Sequence, residues 1–249
     1  RSFNDFSIIM IPKIIHYCWF GGGKIPSPNN KYIQSWNNIL IDYKIVLWNE
    51  SNFNISSIPY TEQAYQARKF AFVTDYVRLF VLYKYGGIYL DTDVELIKSF
   101  DDLLNLPGFI SYEYDNCINT GTIGCTPFNL WIKEQLEEYK TRQFTINGKH
   151  DLTSNVQIIS ENMRQNNFKF DNNHKIYKNC MHVFPKEYFC PKSRTGIVSK
   201  TNKTYCIHHY SGSWAPSHLK WKKFIFHTLL GSKTTDYLVR VKRKLIHSI

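Results

Sequence analysis

Two carboxylates spaced two apart at the end of an apolar run are the sharpest chemical signal in this chain. They stand in Tyr85-Gly-Gly-Ile-Tyr-Leu-Asp91-Thr92-Asp93-Val-Glu-Leu96. In extended backbone the side chains of residues i and i+2 share a face. Asp91 and Asp93 are therefore predicted to converge while Thr92 turns away. Such a pair suits a hard divalent cation, Mn²⁺ or Mg²⁺, which takes oxygen ligands and bridges to phosphate oxygens. A cation held there would neutralise the charge that develops on a departing diphosphate. A bare Asp-x-Asp also occurs by chance as a solvated turn. Its position behind Gly86-Gly87, closing an apolar strand, favours the metal reading.

Two further groups could share that chemistry. Asp75 and Arg78 lie three apart on a predicted helix and so face the same way. Ala71 and Leu82 share that face, which leaves both charges without a well-solvated side. Buried charges require partners or a ligand. The pair reads either as an internal salt bridge or as a clamp on donor-sugar hydroxyls, with the guanidinium free for a phosphate. Downstream, His208-His209-Tyr210-Ser211-Gly212-Ser213-Trp214 follows an apolar strand. A neutral imidazole is a common metal ligand, and one member of the pair could complete a site begun by Asp91 and Asp93. The residues alone do not say which.

These groups must be positioned by an α/β framework. Lys13–Phe20 is an apolar, β-branched and aromatic strand that stops at Gly21-Gly22-Gly23. A helical stretch around Lys31–Ile39 and a strand over Tyr43–Asn49 follow, and strand, helix, strand at this spacing predicts a βαβ unit. Glu62–Tyr85 contains no Gly or Pro and predicts one long, largely buried helix, stopped by Gly86-Gly87 as a C-terminal cap requires. Strands are predicted at Ile88–Leu90, Gly108–Glu113, Ile118–Cys125 and Thr204–His208. Helices are predicted around Leu130–Lys140 and Asn155–Gln165, with 141–180 otherwise polar and loop-rich.

Bulk properties bound the function. With 249 residues, 43% of them hydrophobic, the chain can bury one sizeable core, which excludes a disordered protein. Seventeen Tyr, seventeen Phe and six Trp provide rings for packing and for stacking on sugars or bases. A net charge of +11 favours polyanions, whether nucleic acid, anionic membrane or phosphorylated small molecules. The six scattered cysteines include no Cys-x-x-Cys, so neither a zinc site nor a disulfide framework is expected. Residues 1–9 precede a start-like Met10-Ile-Pro-Lys and are read as an appended remnant, 10–217 as the catalytic domain and 218–249 as a basic helical tail.

Ile11–Gly22, Asp75–Val94 and Ile207–Trp214 together resemble glycosyltransferase family 32 in order and spacing. That family includes bacterial capsular-polysaccharide transferases and is related to the yeast initiating mannosyltransferase and the glucosylating clostridial toxins. The resemblance implies a GT-A fold, with a Rossmann-like nucleotide-binding half and a mixed central sheet. It implies a retaining, metal-dependent transfer of a hexose from a nucleotide sugar, a UDP-sugar first among them, to a saccharide acceptor in surface polysaccharide synthesis. Asp93 would bind the metal directly, with Asp91 on the metal or the ribose. His209 matches the metal-binding His of similar transferases in which His-x-x-Gly follows the last strand. Asp75, Arg78 and Asn119 match donor contacts, Ser213 and Trp214 would lie near the diphosphate, and Tyr17, Trp19 and Phe20 would bring rings to the base. Asn155 or Gln157 is a looser match to a sugar contact. No carboxylate nucleophile stands out, so front-face displacement is expected, with Asp91, Asp93 and Arg78 carrying catalysis by positioning and electrostatics.

Two rival readings remain. A dehalogenase-like phosphohydrolase also uses Asp-x-Asp after a strand, but needs Thr or Val where Glu95 stands, and carries its motif earlier in the chain. A non-catalytic glycan- or nucleic-acid-binding protein is allowed by the charge, yet no nucleic-acid motif is present and the carboxylate pair would be idle. The tail segments Leu219–Leu230 and Tyr237–Ile246 mix bulky apolar residues with Lys and Arg, the composition of an interfacial helix on an anionic membrane. A cytoplasmic enzyme, peripheral on the inner face of the plasma membrane and acting on a lipid-linked saccharide, is the corresponding expectation. Full-length protein should then sediment with anionic liposomes at low salt and stay in the supernatant with neutral ones.

Overall fold

The structure, a computed structural model, describes residues 10–114, 116–193 and 196–212. Segments 1–9 and 218–249, read from the sequence as an appended remnant and a basic tail, lie outside these residues. Strand β1 (Ile14–Cys18) is followed by helix α1 (Ser27–Ile39), which begins with Pro28 in its first turn and buries Ile33 and Trp36. Proline is tolerated there because the first helical N–H groups lack partners anyway. Strand β2 (Lys44–Trp48) then pairs parallel with β1, Ile15 opposite Ile45. The predicted βαβ unit is present.

The long helix predicted over Glu62–Tyr85 is two helices, α2 (Pro59–Gln66) and α3 (Phe70–Tyr85). The break lies at Ala67–Lys69. Arg68 adopts a left-handed φ of 56°, and its N–H donates to the Tyr65 carbonyl while that of Lys69 donates to Ala64. This is a Schellman closure, built on arginine where glycine would ordinarily mark it, which is why composition did not reveal it. Helix α3 ends at Gly86, whose φ is 64°.

Strand β3 (Gly87–Leu90) pairs parallel with β1, and β4 (Val94–Leu96) leaves the main sheet. Strands β5 (Gly108–Tyr112) and β6 (Ile118–Cys125) are buried throughout and pair antiparallel. Helix α4 (Leu130–Lys140) is capped by the Asn129 side chain, which accepts from the N–H groups of Trp131 and Ile132. A small hairpin, β7 (Thr145–Ile146) and β8 (Lys149–His150), precedes α5 (Asn155–Gln165), which opens with a Ser154/Gln157 capping box. Strand β9 (Lys175–Tyr177), in the stretch 141–180 expected to be loop-rich, and strand β10 (Met181–Phe184) then extend the sheet, before β11 (Cys206–His208).

Seven strands form one mixed sheet in the order β2-β1-β3-β6-β5-β10-β9. Strands β2, β1, β3, β5 and β10 run the same way, with β6 and β9 reversed. This is the α/β fold with a mixed central sheet that the GT-A expectation requires. Side chains alternate across the sheet: Tyr89 enters the core beneath α2, α3 and α4, while Ile88 and Leu90 enter the core beneath α1 and β4. Because five strands are parallel, their carboxyl ends line one edge, where open α/β sheets bind ligands. No helix among the described residues is long and apolar enough to cross a membrane.

One buried imidazole ties β1 to the turn that feeds β3. His16 is 2% exposed. Its Nε2 faces the Gly86 carbonyl at 2.9 Å, and Nδ1 accepts from Trp48 Nε1 at 3.1 Å. The pattern fixes the neutral Nε2–H tautomer, since a proton on Nδ1 would meet the indole N–H. Burial lowers its pKa to about 4. The unfolded chain therefore binds a proton that the fold refuses between pH 6.5 and about 4, and stability falls as pH drops through that window. Acidification from pH 7 to 5 should cost about 2 kcal/mol from this group, or roughly 5 °C in Tm. Calorimetry of a His16→Gln variant should show that part of the acid sensitivity removed.

Candidate metal and donor site

Asp91, Asp93 and His208 meet at the carboxyl end of β3. One ligand atom from each lies within 4.8 Å of the others. His208 Nε2 is 3.2 Å from Asp93 Oδ1 and 3.8 Å from Asp91 Oδ2. The carboxylates do not converge through extended alternation. Asp91–Asp93 is a turn, closed by the Val94 N–H donating to the Asp91 carbonyl at 3.0 Å. Thr92 does point elsewhere, its hydroxyl accepting from Asn29 Nδ2.

The histidine comes from the antiparallel pairing of β11 with β4, in which His208 lies opposite Val94. Successive strand residues face opposite ways, so the two imidazoles cannot both reach the carboxylates. His208 does. His209, the residue that the His-x-x-Gly resemblance selects, turns to Glu95 Oε2 at 2.7 Å and stacks on Tyr32 with centroids 4.5 Å apart. The imidazole beside the carboxylates is thus His208, a correction set by strand alternation.

The donor set fits a divalent cation. Burial raises the pKa of the Asp93 carboxyl, but His208 and the Ser211 N–H and hydroxyl outweigh it and hold the group well below the usual carboxylate range. Burial lowers that of His208, and Asp93 raises it well above an ordinary histidine. A proton accordingly bridges the two, and metal binding would displace it, since ligands must be deprotonated. Gly121 supplies the floor: a Cβ there would stand 2.9 Å from Asp91 Oδ2 and 2.9 Å from His208 Cε1. Two carboxylates and one imidazole match Mn²⁺ or Mg²⁺ better than the softer metals that thiolates select.

Arg78 and Asp75 form the support behind this cluster. Arg78 Nη2 donates to Asp75 Oδ1 at 3.0 Å, Nη1 donates to the Thr120 carbonyl at 2.8 Å, and Nη1 stands 3.3 Å from Asp91 Oδ1. The guanidinium lies over the Tyr89 ring, and the Tyr89 hydroxyl donates to Asp91 Oδ1. Asp75 Oδ2 accepts from the Asn155 N–H. Burial pushes the Asp75 carboxyl up to about 6, against the pull of Arg78. Arg78, expected to be free for a phosphate, is instead spent on protein partners and orients Asp91 from behind.

The remaining predicted contacts divide. Asn119 is fully buried in β6; its Oδ1 accepts from the Gly121 N–H, and its Nδ2 has no partner among the described residues. Asn155 Oδ1 accepts from Thr120, and its Nδ2 is likewise unpartnered. Two buried amide donors thus flank the strand that underlies the carboxylates. Gln157, the looser match, instead completes the Ser154 capping box. Tyr17 is half-buried, edge-on to Trp36, and Trp19 is half-buried past the end of β1, its Nε1 donating to the Gly23 carbonyl. Phe20 is core, packed edge-on against Phe53, so an aromatic at that position cannot reach a base. Ser213 and Trp214 lie outside the described residues. Ser211 had not been singled out, and no spacing rule would have found it.

His208→Ala should weaken Mn²⁺ binding by more than the roughly 100-fold that outer-shell partners account for, while His209→Ala should stay within about tenfold. Mn²⁺ titration followed by electron paramagnetic resonance separates the two. A reversed order would overturn the assignment of His208.

Residues 26–109 match the family described as the glycosyltransferase sugar-binding region containing a DXD motif. Inositol phosphoceramide mannosyltransferase 3 of Schizosaccharomyces pombe is 32% identical over 136 residues, 52% of this chain and 38% of that protein. An uncharacterized glycosyltransferase, L373, of Acanthamoeba polyphaga mimivirus is 34% identical over 128 residues, 47% of this chain and 51% of that protein. The chain thus spans about half, or less, of the length of these relatives. Among solved structures, the PaToxG glycosyltransferase covers 51% of this chain and 60% of its own, at 22% identity and a TM-score of 0.43. Residues 26–109, which carry Asp91 and Asp93, are thus similar to the DXD-containing sugar-binding region of glycosyltransferases.

Proposed function

We propose that this protein is a metal-dependent glycosyltransferase that moves a hexose from a nucleotide-sugar donor to a saccharide acceptor. The meeting of Asp91, Asp93 and His208 over Gly121 is the observation that carries this reading. Asp93 and His208 would hold Mn²⁺ or Mg²⁺, with Asp91 on the metal or the ribose. When bound, that cation supplies electrophilic stabilisation to the departing diphosphate. The family resemblance makes Trp19 and Tyr17 the candidates to meet the base, and Asn119 and Asn155 the candidates to meet the donor sugar.

Retention of configuration is carried over from the family resemblance. In front-face displacement the acceptor hydroxyl oxygen bonds to the anomeric carbon on the side from which the diphosphate departs. The carbon–oxygen bond to diphosphate breaks, and the hydroxyl proton passes to the departing phosphate oxygen. The role of this chain in that step is positional. Arg78 and the Tyr89 hydroxyl hold Asp91, and Ser211 holds Asp93, so the charges are arranged before the donor arrives.

A UDP-sugar is the first donor to test, and the names of the yeast relatives add mannose to the candidates. Those names also support a lipid-linked acceptor, in keeping with a cytoplasmic enzyme resting on the membrane through its basic tail. A role in surface polysaccharide synthesis belongs to the same reading. Neither the phosphohydrolase nor the pure binding protein is favoured by a specific contact.

A thermal-shift panel of nucleoside diphosphates and nucleotide sugars, including UDP-glucose and GDP-mannose, tests the donor. At least one should raise Tm by several degrees with Mn²⁺ and not with EDTA, since ligand at about 100 times its Kd stabilises by about 2.7 kcal/mol. The Asp93→Ala variant should remain folded and lose that response along with all transfer. Stabilisation that persists in Asp93→Ala would sink the proposal.

A further inference from the structure

The turn that follows β11 is built on a strained residue. Tyr210 adopts a left-handed φ of 52°, a conformation that is costly for so bulky a side chain. Two residues on, Gly212 takes a left-handed φ of 57°, which a glycine adopts freely. Strain on a bulky residue persists only where the surrounding contacts over-determine it. The contacts of Tyr210 and its neighbours lead to Asp93 and His208.

The backbone of this turn grips one aspartate from two sides. The His209 N–H donates to the Asp93 carbonyl at 3.0 Å, and the Ser211 N–H and hydroxyl donate to Asp93 Oδ2 at 2.7 and 2.9 Å. In extended chain, amides two residues apart stand roughly 6.6 Å apart along the strand. A left-handed residue between them curls the chain, as in the backbone concavities that cradle anions, so that both amides reach the same residue. The side chain of Tyr210 acts on the other partner. Its ring lies 4.3 Å from the His208 ring and 5.3 Å from that of Tyr114, on the β5–β6 connection. His208 also packs against Gly121, where a Cβ would stand 2.9 Å from Cε1. Glycine at position 210 would relieve the strain and lose the ring.

We infer that Tyr210 is a positioning residue for the metal cluster: its left-handed backbone delivers the Ser211 N–H to Asp93, and its ring, braced by Tyr114, holds the His208 imidazole beside the carboxylates. The inference rests on the metal-dependent transferase reading and adds the residue that sets the cluster's geometry. Tyr210 touches no ligand itself. It acts through Asp93 and His208, and both of its contributions, backbone and ring, come from one strained residue.

The test is Mn²⁺ titration of the full chain by electron paramagnetic resonance, on wild type, Tyr210→Phe, Tyr210→Gly and Tyr210→Ala. Each titration is run well below the variant's own Tm, so that it reports the folded state. Tyr210→Phe keeps ring and turn and should bind Mn²⁺ as wild type does. Tyr210→Gly keeps the turn alone and should bind about tenfold more weakly, whereas Tyr210→Ala keeps neither and should bind about 100-fold more weakly, the span of lost outer-shell partners. Wild-type affinity in Tyr210→Ala, even with a lowered Tm, would mark a purely structural tyrosine and overturn the assignment. A Tyr210→Phe variant as weak as Tyr210→Ala would overturn it too, by moving the effect to the hydroxyl. If Tyr210→Ala does not fold, Tyr210→Phe against Tyr210→Gly decides, and equal affinities overturn the role of the ring. Wild-type protein that binds no Mn²⁺ is the separate outcome that sinks the transferase reading, and this assignment with it.

Discussion

The chemistry of this protein depends on a three-residue antiparallel ladder, Val94–Leu96 against Cys206–His208. Without that pairing the carboxylates at the end of β3 would have no imidazole beside them. With it, His208 is delivered to Asp93, the His209 N–H is tied to the Asp93 carbonyl, and Ser211 arrives to hold Asp93 Oδ2. The ladder lies outside the main sheet, so it can add the imidazole without disturbing the strand that leads to the carboxylates.

A dense charge network stabilises this arrangement from behind. Asp75, Arg78 and Asp91 form a chain in which each carboxylate meets the same guanidinium, and Arg78 and Asp75 are both buried. Removing one partner would leave an uncompensated buried charge, which is strongly destabilising. The network therefore couples the fold to the site. The same α3 helix that seals the core with Val73, Val77 and Val81 presents the arginine that orients Asp91. Gly87 permits the approach of β3 to β1, since a Cβ there would lie 2.6 Å from the Ile14 carbonyl oxygen.

Much of this architecture is legible in the chain. Apolar runs beside glycine mark β1 and β3, and the run-helix-run spacing marks the parallel unit, because burial on both faces of a central strand demands such patterns. What failed to show are features that composition does not mark. The break between α2 and α3 rests on Arg68 in a left-handed conformation, and β9 and β10 are short and partly polar. Strand β9 pairs only with its neighbour β10, and β10 pairs with β5, far away in sequence, so no local period reveals their place in the sheet.

The sequence by itself determined that Asp91 and Asp93 end a buried strand and that Asp75 and Arg78 share a helical face, because these depend on neighbours a few residues apart. It also narrowed the candidate third ligand to two adjacent histidines. Only the tertiary structure decided between them, turned Arg78 inward onto Asp91, consigned Phe20 to the core and set the Tyr210 ring between those of His208 and Tyr114. Each of those outcomes rests on contacts between segments distant along the chain, and the direction of a side chain there is set by the surface that packs against it.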